Sequence, residues 1–245
     1  MPQQKTVALF IPCIVDQVYP EIGLAMARVL EFLGYKISYD ARQTCCGQPA
    51  FNAGHRQEAK KIASRFLHVF KNSENIVGPS GSCTAMVKNY YPVLFKDDKL
   101  EEMAENVGRN IFEFSQFLKH ENQIDKISAR YDGKVGFHNS CHSYRELNIL
   151  SEPLSILQQI DQLEVVQPEG EPVCCGFGGL FSFKYDEISA TIAKTRLEMF
   201  RQLDVKTVIT NDPGCLMHMR QEAIDRKAGI EILHLAEFLA KLLDL

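Results

Sequence analysis

Along the chain, short apolar runs alternate with longer stretches whose apolar residues recur at helical spacing. Residues 6–11 (TVALFI) form a run of strand character. Residues 20–33 place Ile22, Met26, Leu30 and Leu33 on one helical face and stop at Gly34, a residue suited to the left-handed turn that ends a helix. YKISYD (35–40) predicts a strand, 53–71 a helix and NIVG (75–78) another strand. The same order returns with KVGFH (134–138), PLSILQQI (153–160), LEVVQ (163–167), the helical DEISATIAKTRLEMFRQL (186–203) and KTVIT (206–210). Each series closes on matching apolar positions, Ile111, Phe114, Phe117 and Leu118 in one and Ile232, Leu235, Phe238 and Leu239 in the other, a spacing that suits the buried side of a short helix. The alternation predicts an α/β protein of two similar tandem Rossmann-like domains, each with a mainly parallel sheet, related by pseudo-twofold symmetry. The polar stretch at 121–133 separates them, giving domains at 1–124 and 130–245.

The eight cysteines repeat with the same period. Cys13, Cys45, Cys46 and Cys83 form one set, and Cys141, Cys174, Cys175 and Cys215 the other. Each set reads as a single Cys, a gap of 31 or 32 residues, a Cys-Cys-Gly triplet, a gap of 36 or 39 residues, and a last Cys after a glycine-containing turn. The flanking residues answer one another as well: FIPC with HNSC, TCCGQPAF with VCCGFGGLF, GPSGSC with TNDPGC. Cys13, Cys83, Cys141 and Cys215 each follow a predicted strand and precede a helix. Such loops lie at the carboxyl edge of a parallel sheet, where ligands bind, and a helix amino terminus stabilises a thiolate.

Composition narrows the function. With 45% hydrophobic and 24% charged residues over 245 positions, the chain has apolar content enough for a core. Its 27 basic against 31 acidic residues leave a net charge of -4, which argues against a nucleic-acid groove built on phosphate attraction. No basic segment leading into a long apolar stretch opens the chain, and no run approaches the roughly 18 apolar residues that crossing a bilayer requires. The expectation is a cytoplasmic protein that neither spans a membrane nor binds nucleic acid.

Three chemistries could use eight cysteines. A disulfide framework belongs to small secreted chains short of core, which this is not. Four-thiolate zinc fits the count, although the tight Cys-x-x-Cys knuckles of structural zinc are missing. An iron–sulfur cluster, larger than a single ion, meets adjacent cysteines that project in different directions and accepts ligands spread over several loops. All eight cysteines are therefore the expected cofactor and metal ligands, with a 4Fe-4S cluster as the leading occupant and zinc as the alternative.

The doubled Cys…Cys-Cys-Gly…Cys pattern resembles the cysteine-rich CCG domain of heterodisulfide reductase B subunits and of the glycolate oxidase iron–sulfur subunit. A chain made of two such domains is most similar to the lactate utilization protein A family. That resemblance implies an iron–sulfur subunit of a cytoplasmic complex oxidising a small 2-hydroxy acid, L-lactate, to pyruvate. It implies as partners a ferredoxin-like iron–sulfur subunit and a third lactate-utilization subunit. Heterodisulfide-reductase-like or glycolate-oxidase-like electron transfer, and a noncatalytic zinc-binding or redox-sensing role, are the alternatives. The heterodisulfide reductase pattern ends in Cys-x-x-Cys. Here Ser80 and Asp212 stand at the first of those positions, so each repeat keeps four thiolates, with an oxygen of Ser80 or Asp212 as a conceivable substitute ligand.

Histidines flank the second set. His138 and His142 lie beside Cys141, where Phe10 and Ile14 stand beside Cys13, and are the candidate catalytic residues through proton delivery or hydrogen bonding to a cluster. His218, three residues after Cys215, is a weaker candidate of the same kind. Gly176-Phe177-Gly178-Gly179 lacks the spacing of a nucleotide loop and is expected to let backbone N–H groups approach sulfur. Arg42, Arg145 and Lys184 are candidate receivers of a substrate carboxylate.

Overall fold

Two four-stranded, wholly parallel sheets of identical order carry the chain, in a computed structural model that describes residues 4–170 and 173–245. The first contains β1 (Thr6–Leu9), β2 (Lys36–Ser38), β3 (Ile76–Gly78) and β4 (Ile111–Glu113), ordered β2-β1-β3-β4. The second contains β5 (Ala129–His138), β6 (Ile160–Val166), β7 (Thr207–Thr210) and β8 (Glu231–His234), ordered β6-β5-β7-β8. The inner strands β3 and β7 are buried at every position, as strands covered by helices on both faces must be. These are the two similar Rossmann-like domains expected from the alternation.

Several boundaries differ from the periodicity. The run from Ile111 to Leu118 is not one helix: Ile111 belongs to β4, and the helix begins at Phe114. The second half behaves alike, with Ile232 in β8 and a helix over Leu235–Leu242. A strand that passes straight into a helix through one capping residue keeps the same apolar spacing, so the pattern hides the break. The cap is Glu113 in the first half, its carboxylate accepting from the Ser115 and Gln116 N–H groups. In the second it is His234, whose Nδ1 accepts from the Ala236 N–H. The helix expected over 53–71 spans Arg56–Phe70, and a short helix, Gln48–Asn52, precedes it, parted from it by Gly54 at φ +86°. Strand β5 starts well inside the polar stretch, where Tyr131 packs its ring on Phe238 at 5.4 Å.

The halves share a core. The Pro20–Phe32 helix of the first packs on the Leu235–Leu242 helix of the second, and the Glu152–Leu157 helix of the second packs on the Phe114–His120 helix of the first. Met26, Leu30, Phe117, Phe137, Phe238 and Leu239 belong to one continuous apolar cluster across this seam. Each half therefore buries apolar surface that it could not cover alone. Replacing Phe238 by Ala is expected to cost about 3–5 kcal/mol. Denaturant unfolding followed by probes in both halves should show a single transition moved to lower denaturant, not the loss of one half.

Glu113 is fully buried, and its Oε1 has no partner among the described residues. Burial pushes its carboxyl up to about 7, against the hydrogen bonds from Ser115 and Gln116, with Asp212 adding repulsion. A folded-state pKa above the unfolded value means that the folded chain holds the extra proton. Stability from this group is thus complete below the ordinary carboxylate range and is lost as pH rises through about 7. Glu113→Gln should flatten that decline in a series of melting temperatures against pH and make the protein more stable on the alkaline side.

Candidate metal centre

Four helix starts and two Cys-Cys-Gly loops bring the thiols together. Cys13 and Cys141 open the helices Cys13–Gln17 and Cys141–Glu146, directly beyond β1 and β5. Cys83 and Cys215 sit in the first turn of Gly81–Ala85 and Pro213–Asp225, beyond β3 and β7. These helices cross between the halves: Gly81–Ala85 packs on Cys141–Glu146, and Cys13–Gln17 on Pro213–Asp225. The first crossing is so close that a Cβ on Gly81 would lie 1.9 Å from Ser143 Oγ.

The glycine of each triplet has a local reason. Gly47 and Gly176 adopt φ +82° and +95°, where side chains are disfavoured, and this turns each N–H back onto the preceding pair. Gly47 N donates to Cys45 Sγ at 3.4 Å, and Gly176 N to Cys174 Sγ at 3.3 Å. The loops are anchored from behind, by Tyr91 Oη donating to the Cys46 carbonyl at 2.9 Å in one half and by Ser189 Oγ donating to the Gly176 carbonyl at 2.8 Å in the other.

All eight cysteines line a single cavity of about 380 Å³ between the halves. None is in a disulfide. Within the sets, Sγ atoms approach to 3.7 Å for Cys13 and Cys45, 3.3 Å for Cys46 and Cys83, and 3.0 Å for Cys175 and Cys215. Hydrogen bonds from Cys13, Cys46 and the Gly47 N–H hold the Cys45 thiol down at about 3. Their counterparts from Cys141, Cys175 and the Gly176 N–H hold Cys174 at about 2. The partners move the other way: hydrogen bonding to Cys45 and burial push Cys13 up, and the same causes act on Cys141 beside Cys174. Thiols crowded this way retain protons that a metal ion would displace. Four sulfur donors in each half, free of disulfides and turned into one cavity, fit a thiolate-bound metal centre, and His138, Cys175 and Cys215 offer ligand atoms within 4.8 Å of one another.

Ser80 and Asp212 line the same cavity, but their oxygens are already committed. Ser80 Oγ accepts from the Cys83 N–H at 3.3 Å and donates to Asp212 Oδ2 at 3.2 Å. That carboxylate also accepts from the Ser82 N–H at 2.9 Å, and its Oδ1 from the Gly214 N–H at 2.9 Å. The two positions that lack the extra cysteine are bonded to each other across the pseudo-twofold axis.

The comparisons with known proteins agree with this geometry. Residues 7–88 and 135–220 each match the cysteine-rich CCG domain. Lactate utilization protein A of Anoxybacillus flavithermus is 38% identical over 234 residues, covering 95% of this chain and 98% of the relative. The protein of the same name from Oceanobacillus iheyensis is 37% identical over 238 residues, covering 95% and 96%. The chain belongs to the lactate utilization protein A family. Among solved structures, a glutamate racemase from Francisella tularensis in complex with D-glutamate covers 98% of this chain and 80% of its own at 15% identity, and its TM-score of 0.38 is too low to bear on fold or function.

The histidines singled out in this family member lie in three different settings. His142 is half-buried on the cavity wall, with Nδ1 3.6 Å from Cys141 Sγ and Nε2 accepting from Gln48 of the other half at 3.4 Å. His138 is wholly buried below the second set, its Nδ1 accepting from Arg196 Nε at 3.1 Å. Burial and that guanidinium hold its imidazole down at about 3, so it stays neutral. His218 Nε2 contacts Ser189 Oγ at 2.9 Å, behind the Gly176 loop and away from the cavity lining. Phe177, Gly178 and Gly179 do form part of the cavity wall.

Arg42, Arg145 and Lys184 are exposed and line none of it; Arg42 pairs with Asp40. Among the described residues, the lining holds no Arg or Lys. The sequence pattern did not single out Tyr91, Ser189 or Arg196; the signal for Arg196 is its alignment with Phe66 on the corresponding helix of the first half. Cys174→Ser or Cys175→Ser is expected to remove the metal of the second set while that of the first remains. Elemental analysis of protein purified without oxygen reads this out, and unchanged content would reject the ligand assignment.

Proposed function

We propose that the chain is the iron–sulfur subunit of a cytoplasmic complex that oxidises L-lactate to pyruvate, working with a ferredoxin-like iron–sulfur subunit and a third lactate-utilization subunit. The single observation that carries this reading is the convergence of eight free thiols, in two matched sets of four, on one cavity in a lactate utilization protein A relative. Cys13, Cys45, Cys46 and Cys83 would hold one cluster, of the 4Fe-4S kind, and Cys141, Cys174, Cys175 and Cys215 the other. Such a cluster supplies one-electron acceptance and release when bound. Oxidation of lactate to pyruvate yields two electrons and two protons. Among the described residues the cavity lining holds no Arg or Lys to pair with a carboxylate, which supports binding of the 2-hydroxy acid by a partner subunit, with electrons, not substrate, coming to this chain. His142, beside Cys141 and open to the cavity, is placed to take or give a proton as charge in the site changes. Thiols kept free of disulfides suit the reducing cytoplasm.

One observation favours a second reading, a zinc-holding or redox-sensing subunit. The Sγ pairs at 3.0–3.7 Å approach the ~3.8 Å edge of a tetrahedron with metal–sulfur bonds of ~2.3 Å. Iron, zinc and acid-labile sulfide measured together on anaerobically purified protein separate the two. Iron with matching sulfide is the expected result, together with loss of growth on lactate when the gene is deleted. Zinc without sulfide would overturn the electron-carrying role.

A further inference from the structure

The halves correspond beneath their cysteine loops, and two of the corresponding positions exchange a phenylalanine ring for a polar side chain. In the helix under the first triplet, Ala63, Phe66, Leu67 and Phe70 stand where Ala193, Arg196, Leu197 and Phe200 stand under the second. Phe10, just after β1, corresponds to His138 at the end of β5. Under the first set the two positions hold an aromatic pair, Phe10 and Phe66 meeting edge to face at 4.8 Å. Under the second they hold the buried hydrogen bond from Arg196 Nε to His138 Nδ1. Since the apolar version packs in the same fold, the polar one is not required for packing, and burying a guanidinium and an imidazole opposes stability unless their polar atoms are used.

The hydrogen bond fixes the imidazole. A guanidinium only donates, so Nδ1 must supply the lone pair and the neutral ring carries its hydrogen on Nε2. Nε2 is buried and has no partner among the described residues, and a ring nitrogen of His138 lies within 4.8 Å of Cys175 Sγ and Cys215 Sγ. The guanidinium in turn lies close enough to Cys175 and Cys215 to feel their charge when they are ionised. A buried N–H with no acceptor, on a ring beside two of the four thiols of the second set, is accounted for when those sulfurs carry the charge of a bound centre.

We propose that His138, its tautomer set by Arg196, donates an N–H···S hydrogen bond to the second cysteine set, and that this pair gives the second centre a higher reduction potential than the first. The inference rests on the electron-carrying reading. A donor and a positive charge beside the sulfurs stabilise the reduced, more negative state, and the first set has only Phe10 and Phe66 in their place. An electron shared by the two sets therefore leaves the first and resides on the second. Arg196 is a positioning residue, acting through the ring it orients.

Two measurements test this. Nitrogen-15 NMR of the reduced, metal-free chain should show His138 protonated at Nε2 and bare at Nδ1; the opposite tautomer would overturn the proposal. Redox titration followed by electron paramagnetic resonance should compare the anaerobic protein with the double variant His138→Phe, Arg196→Phe, which copies the aromatic pair of the first half. The ratio of reduced to oxidised forms of one centre at fixed potential should fall about tenfold, equivalent to 59 mV for one electron, while the other stays in place. Two unmoved potentials at equal iron content, or nitrogen hyperfine coupling that marks His138 as a metal ligand, would refute it. A chain found without iron and sulfide would defeat the electron-carrying reading itself, whereas the tautomer, measured without metal, still decides whether His138 offers a donor.

Discussion

The carboxylate of Asp212 is the tie on which the arrangement of the cavity depends. It is buried, and a buried carboxylate persists only where its oxygens are hydrogen-bonded. Its donors are Gly214 in its own half and Ser80 and Ser82 in the other, so one side chain caps its own helix and closes onto the first turn of the opposite one. Hydrogen bonds to a charged group contribute about 1.5–3 kcal/mol each, more than the neutral contacts around them. His234 adds a second tie, its Nε2 donating to the Pro79 carbonyl at 2.9 Å across the same seam. Cys83 and Cys215 each lie three residues beyond the Ser80–Asp212 bond, and that bond sets where the last ligand of each set begins its helix.

Around this tie the duplication is close but not complete. The backbone device that turns a glycine N–H onto the first thiol of each pair is the same in both halves, as is the position of the cysteine that opens the first helix. The asymmetry lies beneath and beside the sulfurs: Phe10 against His138, Phe66 against Arg196, and His142 only in the second half. Two sets of four thiols thus sit in different electrostatic surroundings within one repeated fold.

Much of this was legible in the sequence because duplication tests each feature twice. Parallel strands, the helices between them and all eight cavity cysteines follow from periodicity and from the repeated triplet. What periodicity could not show was the strand-to-helix passage at Glu113 and His234, since a single capping residue leaves the apolar spacing intact. The start of β5 was hidden by a polar edge whose one large apolar contact, Tyr131 on Phe238, lies more than a hundred residues away in sequence. Arg42, Arg145 and Lys184 looked close to the cysteine loops in sequence, yet their side chains leave the cavity for solvent. Arg196 was concealed for the opposite reason: it lies in a helix interior, and only the alignment of Phe66 with it shows that an apolar position has become charged.

The seam itself has a mechanical meaning. The Pro20–Phe32 and Leu235–Leu242 helices are packed into one core with the other pair of helices, so the two halves are joined through a shared interior and not only through the chain that connects them. The gap between the two groups of sulfur atoms is then set by the packing of that seam, as the spacing of two pegs is set by the block that holds them. A change in the packing of that seam therefore reaches both groups of thiols together, because one interior supports them both.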